Sequence, residues 1–317
     1  METHILAVVP KRWYGVRRAL SCYTSHIVTP DEAKRAIDAL RPQTVVFGCY
    51  QPEWYPIVAH ALFHRARCVA SWFASTILND FDEQNREWLY TAISAVRRGF
   101  LHELVIPHRG LASVWSDAGL PASYLPLTFT PPTVDMQPPA DGIHLGLFGT
   151  GHPWKNMETQ ALAAHVLHRR HGNVTLHVQN DFAIRDVRRY FDIPVLQHRE
   201  ITDDADYHRV VGSMHVNLIM SLSETYSYLG AESLALGVPI LTTAVTPILD
   251  TSWGALRDHC ILHKFDDPVE IANRIELILR QRDRLRDEGR THILSFNESQ
   301  RSSVEKVRAA WMRPLSS

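Results

Sequence analysis

SLSETYSYLGAESLALGVPIL, Ser221 to Leu241, decides the reading of this chain. Before it, VNLIM (Val216 to Met220) is an apolar run of strand length, and within it Ser221 to Tyr228 is polar with small and aromatic residues. Leu229 to Leu236 then reads as a helix closed by Gly237, and Val238 to Thr243 returns as a buried strand with its proline at the start, where a strand tolerates one. The order strand, loop, helix, strand is one βαβ unit of a parallel sheet, with its ligand edge past the carboxyl end of the first strand. A helix that begins there presents unpaired backbone N–H groups and a partial positive charge, which suits a phosphate or diphosphate. Gly230 keeps the first turn slim. Glu224 and Glu232, eight positions apart, fall in the loop and one turn into the helix, a spacing that sets two carboxylates around one ligand.

Working outward, strands alternate with helices on both sides of this unit. HILAVV (His4 to Val9), TVVFG (Thr44 to Gly48), RCVASWF (Arg67 to Phe73) and LVIP (Leu104 to Pro107) read as strands. Asp31 to Leu40, Pro52 to Phe63, Gln84 to Arg98 and Gly110 to Gly119 read as the helices between and after them. Such alternation predicts a parallel α/β sheet. Leu127 to Asp141 concentrates four prolines with no helical period, and the alternation resumes at Ile143. The expected organisation is an N-terminal Rossmann-like domain over 1–130, a linker over 131–142, a C-terminal Rossmann-like domain over 143–295, and a closing helix over 296–317 that packs on the first domain.

The composition is that of an ordinary globular chain: 317 residues, 45% hydrophobic, 21% charged, with a formal net charge of −1. Near-neutral charge argues against a strong nonspecific grip on nucleic acid or anionic membrane. Cys22, Cys49, Cys68 and Cys260 show no paired spacing and read as reduced thiols. No apolar run approaches the ~20 residues of a membrane span, so a cytoplasmic protein is expected.

The stretch around Glu224 and Glu232 resembles the E-x7-E signature of retaining glycosyltransferases of the GT-B fold, in the GT4-like group 1 branch. The resemblance extends from about Ile143 to Trp311. It takes in IHLGLFGTGHPWKN (Ile143 to Asn156), similar to the family's first strand and phosphate-binding lysine, then LHKFDDPVEIANRIELIL (Leu262 to Leu279) and FNESQRSSVEKVRAAW (Phe296 to Trp311). It implies two Rossmann-like parallel-sheet domains facing a cleft, with a C-terminal helix crossing back to the first. It also implies metal-independent transfer of a hexosyl or pentosyl group from a nucleotide-sugar donor to an acceptor hydroxyl with retention, and no cofactor beyond the donor. Lys155 would hold the donor diphosphate, with Asn156 capping the helix behind it. Glu224 would contact the donor sugar and Glu232 the ribose. Thr150, Gly151, His152, Thr225, Tyr226, Ser227, Tyr228 and Leu229 would complete the donor site. A backbone segment between Ile193 to Leu196 and Thr202 would meet the base, leaving its identity open.

Two positions depart from the pattern. An arginine usually stands five residues before the lysine, and Thr150 is there instead; Thr225 and Ser227 replace two glycines. The acceptor side is carried by Arg12, Trp13, Tyr14 and Gly15 after the first strand, with Trp72 and His108 at the ends of later strands. The same loop reads equally well as a solvated turn over two core aromatics. Residues 1 to 140 hold thirteen Lys and Arg against twelve Asp and Glu, so this half is not broadly basic. The acceptor is left open among glycan, lipid, small molecule and DNA. Two rival readings are a DNA-modifying transferase acting on a hydroxylated base and a non-catalytic nucleotide-sugar-binding subunit. No metal site is expected: Asp204 to Asp206 reads as acid at a helix start, and His165, His168 and His171 as an exposed polar face.

Overall fold

The computed structural model describes residues 4–73, 82–134, 136–149, 152–179, 192–198, 203–251 and 254–313. These form two compact units, Met1–Thr128 with Asn297–Ser317, and Phe129–Phe296, each built on a six-stranded sheet in which every strand pair is parallel.

The first unit runs β1 Ile5–Val8, α1 Tyr14–Leu20, β2 Ile27–Val28, α2 Pro30–Leu40, β3 Thr44–Gly48, α3 Tyr55–Phe63, β4 Arg67–Ser71, α4 Glu83–Arg97, β5 Glu103–Ile106, α5 Arg109–Asp117 and β6 Ala122–Tyr124, in the strand order β2-β1-β3-β4-β5-β6. β3 is buried at all five residues, as expected of a strand covered on both faces. α2 starts on a reciprocal capping box between Thr29 and Glu32 with Pro30 in its first turn, and ends where Arg41 turns left-handed at φ 47°.

Three features differ from the sequence reading. The segment after β1 is helical from Tyr14, because the Arg17 guanidinium donates to the carbonyls of Val9 and Ile27 and pins α1 to two strand ends. The short edge strands β2 and β6 were not foreseen. The run from Pro52 to Phe63 divides into a 3-10 turn, Pro52–Trp54, and α3. Pro56 lacks an N–H donor and is accommodated only in the first turn of a helix, which places a helix start at Tyr55.

The second unit runs β7 Ile143–Leu147, α6 Met157–His171, β8 Val174–Val178, β9 Val195–Gln197, α7 Asp204–Gly212, β10 Val216–Ile219, α8 Tyr228–Ala235, β11 Ile240–Thr243, α9 Gly254–Cys260, β12 Ile261–Leu262 and α10 Pro268–Arg280, in the order β12-β11-β10-β7-β8-β9. β7 connects toward β8 on one side and β10 toward β11 on the other, so the topological switch point lies between β7 and β10. A close approach fixes this pair: a Cβ on Gly146 of β7 would fall 1.9 Å from Asn217 Oδ1 of β10. The Asn217 amide in turn donates to Ser233 Oγ at 2.9 Å and to the Val211 carbonyl at 3.2 Å, fastening α8 and α7 to the sheet.

The last helix, α11 Arg282–Trp311, is 30 residues long and starts well before the expected Phe296. From Asn297 onward its residues belong to the first unit. Trp311 is buried there, its ring 5.0 Å from that of Tyr23 and its carbonyl accepting from Thr44 Oγ1 at 2.6 Å; Gln300 accepts from the Tyr124 hydroxyl at 2.9 Å. All four cysteines are free thiols, and burial pushes Cys49, Cys68 and Cys260 up to about 12, which keeps those three protonated and unreactive. No helix among the described residues is long and apolar enough to cross a membrane.

Candidate functional site

Two loops leave the switch point of the second unit. The loop after β7 ends in a 3-10 turn, Pro153–Lys155, and the loop after β10 leads into α8. They are tied together by backbone, the Leu222 N–H donating to the Trp154 carbonyl at 2.7 Å. Gln160, buried in the first turn of α6, clamps them from below. Its Oε1 accepts the Met220 N–H at 2.9 Å, and its amide donates to the carbonyls of Lys155 at 2.7 Å and Asn156 at 3.1 Å. The sequence reading missed Gln160; its signal is a polar residue within the otherwise apolar buried face of α6, which also carries Ala161, Ala163, Ala164 and Leu167.

The result is a direct ion pair. Lys155 Nζ lies 2.5 Å from Glu224 Oε1, with the lysine side chain 23% and the carboxylate 10% exposed. Ser221, itself buried, donates to the same oxygen at 2.7 Å, while Thr243 Oγ1 donates to the Ser221 carbonyl at 2.6 Å. Glu224 is thus held by a cation and a hydroxyl and stays close to solvent at a strand end. Asn156 takes the position before α6, but its side chain does not cap that helix. Its backbone is left-handed at φ 50°, a conformation asparagine tolerates, and its Nδ2 donates to the Phe265 carbonyl at 2.8 Å.

Ser227 leads into α8 with φ 69°, left-handed backbone, and its Oγ accepts the Gly230 N–H at 3.3 Å. This is one of the two positions where the sequence carries a hydroxyl residue in place of glycine, and the chain adopts the conformation glycine takes without strain. Thr225 is part-exposed on the bend. Tyr226 is buried, its ring 4.9 Å from Tyr228 and 6.5 Å from Phe296. Leu229 packs on the cluster of Phe148, Val211, Met214, Leu236 and Val238. Glu232 is fully buried and its Oε1 lies 3.1 Å from His208 Nε2 of α7. His152 stacks on Trp154, ring centroids 4.2 Å apart and planes 8° apart. Thr150 and Gly151 lie outside the described residues, as does part of the expected base-binding segment.

In the first unit the switch point lies between β1 and β3, and Arg12, Trp13, Tyr14 and Gly15 sit just past β1 on that edge. Arg12 and Tyr14 are exposed, and Trp13 packs its ring 6.1 Å from Trp88. Trp72 corrects the sequence reading: it is fully buried among the core of the unit, so it packs and has no surface for an acceptor. His108 serves as the cap of α5, its Nδ1 accepting the Leu111 N–H at 3.1 Å.

The acidic start of α7 behaves as a helix terminus, with Asp203 capping at 2.8 Å to the Asp206 N–H. His165, His168 and His171 go to separate partners, the carbonyls of Asp192 and Val174 and the Glu276 carboxylate. Histidines do gather elsewhere. Asp141, His144, His177 and His198 form a hydrogen-bonded file across β7, β8 and β9, with spacings of 2.9, 2.8 and 2.9 Å, and His215 accepts the His144 N–H. Burial, followed by the repulsion of neighbouring histidines, pushes His177 down to about 4; burial, then Arg282 and His144, does the same to His215. The lowered His177 and His215 rings serve the unit as neutral structural groups.

No family model matches the chain, and no curated protein matches it in sequence. Solved structures do. HepE from Anabaena, crystallised in complex with UDP and glucose, superposes over 96% of this chain and 99% of its own, at 12% identity with a TM-score of 0.68. A glycosyltransferase from Rickettsia africae covers 99% and 100% at 10% identity with a TM-score of 0.69. Sucrose-phosphate synthase from Thermosynechococcus elongatus covers 89% and 76% at 15% identity with a TM-score of 0.63. With two parallel six-stranded sheets and these likenesses, the chain has the GT-B fold of glycosyltransferases.

Proposed function

We propose that the protein is a retaining glycosyltransferase of the GT4-like kind that takes its sugar from a nucleotide-sugar donor bound by the second unit. The observation that carries this reading is the meeting of Lys155 and Glu224 at the switch point between β7 and β10, where a parallel sheet offers its ligand crevice. In the reaction the bond from the sugar's anomeric carbon to the diphosphate breaks, and Lys155 meets the charge that grows on the departing oxygen. That oxygen takes the acceptor hydroxyl's proton as the new bond forms on the same face, so no side-chain base is required. Glu224 releases Lys155 as the donor enters and turns to the sugar. UDP and glucose in the HepE crystal support a donor of this class.

The acceptor is proposed to meet the loop Arg12 to Gly15 of the first unit. Arg17, just beyond that loop, is spent on the carbonyls of Val9 and Ile27 and is not offered to an acceptor phosphate, which favours a sugar, lipid or small-molecule hydroxyl over DNA.

The test is a thermal-shift screen of the full chain against UDP-, GDP-, ADP- and TDP-sugars. One class is expected to raise Tm through linkage, and Lys155→Ala to abolish that rise. Absence of stabilisation by every donor, or a shift that survives both Lys155→Ala and Glu224→Gln, would overturn the reading.

A further inference from the structure

We propose that the first unit carries a transition-metal site made by Asp38, His60 and His64. Among the described residues these are the one group whose ligand atoms converge, all within 4.8 Å of one another. His60 stands in the last turn of α3 and His64 is the residue that closes its C-terminus, four positions on, so the two rings come together at that end of the helix. Asp38 projects from α2, and its Oδ1 lies 2.9 Å from Nε2 of each histidine. The two rings are set edge to face with centroids 4.8 Å apart, which aims both Nε2 atoms at one point.

Three donors around a tetrahedral ion at about 2.0–2.1 Å from each would lie about 3.4 Å apart. The present spacings to Asp38 are about half an ångström shorter, so a small withdrawal of one exposed carboxylate opens the position. Two imidazoles and one carboxylate are borderline ligands that suit Zn2+, Co2+, Ni2+ or Cu2+ and not Mg2+ or Ca2+, which prefer oxygen alone. A water would complete the fourth position. A bound ion would clip α2 to α3 on the surface of the first unit and takes no part in the proposed glycosyl transfer.

Arg41 competes with the ion. Its guanidinium donates to His64 Nδ1, which fixes the ring proton on Nε2, the atom the metal needs bare. Metal binding therefore requires the exposed Arg41 side chain to leave and the ring proton to move to Nδ1. A hydrogen-bonded trio with no metal function would show no such antagonism.

The experiment is a Co2+ titration of the chelator-stripped full chain, read by the visible absorption of tetrahedral Co2+, with Zn2+ as the competing ion. The wild type is expected to bind one Co2+ that Zn2+ displaces. His60→Gln and Asp38→Asn should lose the absorption while keeping the far-UV spectrum of the folded chain, and His171→Gln, a surface histidine of the second unit, should retain it. Arg41→Ala should tighten binding by about tenfold, the scale of changes in the surroundings of metal ligands. Failure of the wild type to give the absorption, or its persistence in both His60→Gln and Asp38→Asn, would overturn the proposal.

Discussion

Gln160 and Met220 are joined at 2.9 Å, side-chain carbonyl to backbone N–H, inside the second unit. The same carboxamide holds the Lys155 carbonyl, so the two loops that carry Lys155 and Glu224 hang from one buried side chain. Gln160→Leu keeps the volume and strands the Met220 N–H and the Lys155 carbonyl. A loss of about 2–6 kcal/mol is expected in urea unfolding, since each of the two buried groups left unpaired costs about 1–3 kcal/mol. Donor KM should rise with it.

Lys155 and Glu224 should be coupled energetically. Removing one leaves the other part-buried and uncompensated, so the double variant Lys155→Ala with Glu224→Gln should be less destabilised than the sum of the singles. A coupling of about 0.5–3 kcal/mol in a double-mutant cycle is the expected range. In turnover with donor and acceptor, Lys155→Ala should lose one to two orders of magnitude, the equivalent of a charge-assisted hydrogen bond of about 1.5–3 kcal/mol.

Ser227→Gly should be neutral to stabilising. The left-handed backbone at φ 69° costs a non-glycine residue about 1 kcal/mol, whereas exchanging a serine cap for glycine loses only a few tenths. Gly230→Ala should go the other way. Its Cβ would meet Ile248 Cδ1 at 2.8 Å in a fully buried spot, an overpacking worth about 1–3 kcal/mol. Thermal melts of the two variants give the comparison.

Acid should weaken the second unit from the histidine file. His177 and His215 titrate near 4 when folded and near 6.5 when unfolded, so below 6.5 the unfolded chain binds the extra protons. Stability is fully present above pH 6.5 and falls between 6.5 and about 4, more steeply from buried His177 than from half-buried His215, whose charge is screened by solvent. Urea midpoints at pH 7.5 and 5 should show this fall, and His177→Gln should reduce the slope.

Much of the scaffold was legible because burial on both faces leaves continuous apolar runs. β3 was read to the residue, and β10 and β11 within two. Elements of two or three residues, β2 and β6, leave too little pattern to see, and α1 hid behind a tryptophan, a glycine and basic residues, of which Arg17 anchors it. Resemblance set Lys155 and Glu224 around one donor, but their direct ion pair was not read. Gln160, His208 and the Asp38, His60 and His64 trio were not read, because each depends on partners 22 or more residues away that only the folded chain brings together.

The burial of Trp311 against Tyr23 and Thr44 makes the first unit discontinuous along the chain, closed by residues that follow the whole second unit. On the ribosome the usual N-terminal-first order is therefore inverted. The contiguous second unit has all its pieces once Phe296 emerges, whereas the first unit must wait, unfinished, for the segment from Asn297 to Trp311.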